Sequence, residues 1–126
     1  MKQLELAVQL DFSSQTNSRR SPDTTKIAHM FSGFLQVCYR INSYFAMTAR
    51  EEFFNDPDGF ISGLNKLTNR GLRTNGHSVS FEYKPVKSGY LRLAYRYLVS
   101  YPGNREFQSK TSDYMNALNF TTGMRL

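Results

Sequence analysis

From Leu4 to Phe12 the side chains Leu4, Leu6, Val8, Leu10 and Phe12 alternate with Glu5, Ala7, Gln9 and Asp11. Successive residues of a strand face opposite ways, so a period of two commits this segment to a β-strand with one apolar and one polar face. In a chain of 126 residues, 40% of them hydrophobic, that face is expected to rest on the core of a single domain spanning 1–126. The run from Ser13 to Asp23 holds almost nothing to bury and is expected to be an exposed, flexible loop, with Arg19 and Arg20 in its middle.

Further along, the spacing changes. Ile27, Met30, Phe31, Phe34, Val37, Cys38, Ile41, Tyr44 and Phe45 recur at intervals of three and four behind the caps Asp23, Thr24 and Thr25, which predicts a core helix. Helix or bend continues to Phe54, where Asn-Asp-Pro-Asp-Gly stops it. A second helix is predicted from about Asp58 to Asn69, with Phe60, Ile61, Leu64 and Leu67 on one face. A third is expected after Ser109, burying Tyr114, Met115 and Leu118.

Between these helices Val79, Phe81 and Tyr83 alternate with Ser80, Glu82 and Lys84, and Leu91, Leu93, Tyr95 and Tyr97 with Arg92, Ala94 and Arg96. The pattern predicts a β-hairpin. Pairing 83 with 93 and 81 with 95 would leave Lys87-Ser88-Gly89 as the loop and set Lys84 opposite Arg92. The whole reads as an α+β fold: an antiparallel sheet of the N-terminal strand and the C-terminal hairpin, covered on one face by two or three helices in a two-layer sandwich.

Charge is uneven. Residues 1–60 carry six Lys/Arg and seven Asp/Glu, residues 61–126 ten and three. Cations near π-faces are the ingredients of single-strand binding. The segment 70–105 gathers Arg70, Arg73, Lys84, Lys87, Arg92, Arg96 and Arg105 against Glu82 alone, and interleaves five tyrosines. Tyr90 and Tyr101, near the strand ends, are the expected stacking rings, while Tyr83, Tyr95 and Tyr97 are expected on the core. With Arg19 and Arg20 these residues suggest a non-catalytic nucleic-acid-binding accessory protein, single strands favoured, of a kind suited to a phage or mobile element. The competing reading is a protein-binding module that docks the same hairpin on an acidic protein surface, with a homo-oligomer compatible with either.

Two histidines and one cysteine, with no phosphate-cradling loop or nucleophile elbow, argue against a metal enzyme or hydrolase, so no catalytic residue, cofactor or metal is expected. Cys38 is alone, which excludes an internal disulfide and suggests a reducing, cytoplasmic setting. The acid-containing N-terminus MKQLELAVQL resembles neither a signal peptide nor a membrane span, so no membrane contact is expected.

Overall fold

The computed structural model describes residues 3–16, 27–64, 70–86, 88–101 and 112–124, and among these it is all-β. Six strands follow in chain order: β1 (Gln3–Gln15), β2 (Ala28–Arg40), β3 (Phe45–Asn55), β4 (Arg73–Val86), β5 (Gly89–Ser100) and β6 (Tyr114–Met124). Each pairs antiparallel with the next, giving one meander sheet in the order β1-β2-β3-β4-β5-β6 with β1 and β6 as its edges. The strands run 11 to 14 residues, about twice the usual length in a globular domain.

The expected α+β sandwich is therefore wrong, and among the described residues no helix covers the sheet. The first helix is replaced by β2, the turn 41–44 and β3. In β2 one face carries Phe31, Leu35, Val37 and Tyr39, but the other carries Met30, Phe34 and Cys38. Apolar residues on both faces of a strand produce spacings of three and four by coincidence. Tertiary pairing overrides the apparent helical period here, because β1 on one side and β3 on the other satisfy the backbone of β2 along its length. The described part of the second helix, residues 58–64, consists of turns, and residues 65–69 lie outside the described set. The third helix is replaced by β6.

The N-terminal strand and the hairpin are present, the hairpin in a different register. Tyr83 pairs with Leu91, Phe81 with Leu93 and Glu82 with Arg92, and an irregularity between Tyr83 and Val86 brings Val86 opposite Gly89. The like-charge juxtaposition of Lys84 and Arg92 is thereby replaced by an acid facing a base. Ser13 to Gln15 belong to β1 rather than to a loop, and residues 17–23 of the expected loop lie outside the described set.

Connections differ systematically between the two ends of the sheet. At one end β2 passes to β3 through residues 41–44 and β4 to β5 through residues 87–88. At the other the joining segments are residues 16–27, 56–72 and 101–113. Both terminal strands have their outer ends, Gln3 and Met124, at the short-turn end.

The segment after β3 is tied by Asp56. Its fully buried carboxylate accepts hydrogen bonds from the amides of Phe60 (2.7 Å), Ile61 and Ser62 (both 2.8 Å) and from the Ser62 hydroxyl (2.9 Å). Burial raises the carboxyl pKa, but these donors outweigh it and hold the group below the ordinary aspartate value. Asp58 accepts from the amide of His29, joining this turn to the start of β2.

Candidate functional site

Directly paired residues on neighbouring strands share a face, so the registers divide the sheet into two surfaces. One carries Leu4 to Phe12 of β1, Leu35 and Val37 of β2, Met47 and Ala49 of β3, Val79 and Phe81 of β4, Leu93 and Tyr95 of β5, and Leu118 and Phe120 of β6. This surface is open. Leu6 is 64% exposed, Val79 56% and Leu118 71%. A water-soluble monomer rarely exposes a contiguous apolar patch beyond a few hundred Å², and here the patch crosses six strands.

Its aromatic rings gather at two levels. Near the long-segment end lie the pairs Phe12–His29 (5.9 Å between centroids), Phe31–Phe53 (5.1 Å) and Tyr97–Tyr114 (6.4 Å). Near the short-turn end Phe45 packs on Tyr83 (4.9 Å) and Phe81 (5.5 Å). Aliphatic side chains fill the space between. The belt is also slanted: the row that holds Val8 and Leu35 continues through Glu51, His77, Tyr97 and Asn116. Apolar cover thus shifts toward the short-turn end from β1 to β6, as it must where tilted strands cross a flat apolar layer. The Glu51–His77 contact falls at the long-segment margin of this belt, beside Tyr97.

The opposite surface is polar and recessed. Two recesses, of about 410 and 310 Å³, are lined chiefly by its side chains: Arg40, Thr48, Glu82, Lys84 and Arg92 in one, Asp11, Ser32, Arg50, Glu52 and Arg96 in the other. Glu52 on β3 reaches across β4 to pair with Arg96 on β5 and also meets Arg50 at 3.3 Å. Gly76 makes this crossing possible, since a Cβ there would lie 2.7 Å from the Glu52 side chain. Arg50 is further held over the Phe34 ring at 3.9 Å. Nearer the short turns Glu82 bridges Lys84 (3.2 Å) and Arg92 (2.6 Å), and Arg40 meets Glu5 (2.9 Å). Half-exposed pairs of this kind stabilise a fold by only about 0–1 kcal/mol each, so their concentration on one face is better explained by what that face touches.

The expected binding residues do not form one surface. Lys84, Arg92 and Arg96 share the polar face, while Arg73 stands on the apolar face opposite Asn55. Arg70 is exposed ahead of β4, and Tyr101 lies just past β5 with its amide donating to the Arg73 carbonyl. Tyr90 is half-buried against Gly123, where it cannot offer both ring faces to a base. Tyr83, Tyr95 and Tyr97 sit on the open apolar surface rather than in a core. Arg19, Arg20, Lys87 and Arg105 lie outside the described residues. Missed from the sequence were Arg40, Arg50 and Glu52 as members of a charged wall; their even-numbered alternation against apolar neighbours is the signal that could have found them.

Strands of 11 to 14 residues meet or exceed the 9–11 that a tilted strand needs to cross a bilayer. An open apolar band between aromatic girdles, a polar recessed face, and short turns alternating with long segments are together the anatomy of an outer-membrane β-barrel wall. Neither a curated protein nor a solved structure matches the chain. A family described as "Putative beta-barrel porin-2, OmpL-like" matches over residues 1–125. This overturns the nucleic-acid-binding and acidic-partner readings, the absence of a membrane, and the cytoplasmic setting, and it points to an outer-membrane, porin-like protein. On an apolar belt wrapped around a charged wall, matched across nearly its whole length, the chain belongs to this β-barrel porin family.

Proposed function

We propose that β1–β6 form an arc of the wall of a water-filled, non-catalytic pore through which small hydrophilic solutes diffuse across the outer membrane. The observation that carries this reading is the division of the sheet into an exposed apolar face with ringed margins and a face of paired charges. Lipid solvates the first and water the second, whereas no single solvent suits both. The short turns 41–44 and 87–88 would face the periplasm and the longer segments the exterior. An open sheet cannot persist in hydrocarbon, because the free backbone groups of β1 and β6 would each cost several kcal/mol. Closure therefore uses strands beyond these six, docked on both edges, since known barrels of this kind have at least about eight.

The test is swelling of proteoliposomes in iso-osmotic, uncharged sugars of graded size. Swelling that slows with sugar size supports a diffusion pore. Vesicles that hold folded, inserted protein and swell in none of the sugars would refute it.

A further inference from the structure

The geometry points to a pore that prefers anions, a deepening that rests on the porin reading above. On the wall formed by β3, β4 and β5 every described carboxylate of the polar face is enclosed by two cations. Glu52 lies between Arg50 and Arg96, and Glu82 between Lys84 and Arg92. Each group of three thus carries one unbalanced positive charge. Exposure amplifies the asymmetry: the Glu52 and Glu82 side chains are 20% and 15% exposed, while those of the four cations range from 37% to 48%. The acids are held down against the sheet and the guanidinium and ammonium groups stand above them, so a passing ion meets the cations first.

The two groups are offset along the pore. Arg50 and Arg96 occupy one register row with Ser78 between them, and Glu82 faces Arg92 four register pairs closer to the short turns. Between them, Ser80 and Ala94 add no opposing charge. The acids that stand freer, Glu5 at 55% and Asp11, both belong to the edge strand β1, and Glu5 is matched by Arg40. Over β3–β5 the polar face is therefore a vertical positive track. Such a track raises the local concentration of small anions and repels cations. Its ligands are identified by charge and size: chloride, phosphate and small organic carboxylates.

The test is the reversal potential of the protein in planar bilayers under a potassium chloride gradient, for the wild type, Arg96→Gln, Arg92→Gln and Glu52→Gln. The wild type is expected to pass chloride in preference to potassium. Each unit of charge within about 8 Å of the ion path shifts that ratio about twofold at physiological salt, by Coulomb's law with screening. Arg96→Gln and Arg92→Gln should lower the ratio and Glu52→Gln should raise it. Opposite signs from similar perturbations separate a charge effect from damage to the fold. Channels that favour potassium, or shifts of one sign in all variants, would overturn anion preference and leave the pore intact. An inserted protein that conducts neither ion would overturn both readings.

Discussion

Leu93 and Ala94 are chain neighbours on opposite faces of β5, and replacing each by arginine tests the face assignment directly. Leu93 pairs with Phe81 and Phe120 in the middle of the apolar belt and is 49% exposed. Arginine at the bilayer mid-plane costs about 2–4 kcal/mol, and loss of the leucine adds about 1.5–3 kcal/mol. The expected penalty for Leu93→Arg is about 3.5–7 kcal/mol, on the order of several hundredfold or more in the folding equilibrium. Ala94 stands between Ser80 and Asn119 on the polar face, where a long cation extends into water, and Ala94→Arg should cost within about 1 kcal/mol. The chain contains no tryptophan, so urea titrations in phospholipid vesicles are best followed by far-ultraviolet circular dichroism and by the mobility of the unheated protein on gels. Equal penalties, or a Leu93→Arg cost below about 1 kcal/mol, would refute the argument that lipid solvates this face.

Three further outcomes are expected. Gly76→Val should lower chloride preference by pushing the Glu52 carboxylate off the wall; unchanged reversal potentials would contradict the crossing geometry. The folded pKa of Asp56 lies below its unfolded value, so its contribution is complete above about pH 4 and is lost as pH falls through that value toward the folded pKa. Amide exchange at Phe60, Ile61 and Ser62, corrected for intrinsic rates, should accelerate over that range and already at neutral pH in Asp56→Ala; protection that stays constant down to pH 3 would exclude the cap. Cys38 lines the recess on the polar face, so a water-soluble thiosulfonate should modify it in the inserted protein, faster when the reagent is anionic, and complete protection would place the thiol elsewhere.

Part of the fold is plain in the residues. Alternation at Leu4–Phe12 gives β1, and alternation at 79–83 and 91–97 gives β4 and β5, because a period of two has no helical counterpart. Around β2 the same logic fails, since Met30, Phe34 and Cys38 place apolar groups on the polar face and imitate a helical stripe. The hairpin register misses by two residues because the irregularity between Tyr83 and Val86 leaves no mark in composition. Basic residues of the wall are equally visible, but a ladder of cations on a strand looks the same whether it meets phosphates, a protein or a pore.

The sequence by itself determined the local period of β1, β4 and β5, the turn after β3 and the excess of positive charge, all of which follow from side chains within a few residues of one another. Which face meets water was decided only by the tertiary structure. An alternating strand has one apolar side in a globular core and in a barrel wall alike, and the direction in which that side points depends on how the sheet curves. Here the charges of six long strands line the recessed face, and the apolar side is left for lipid.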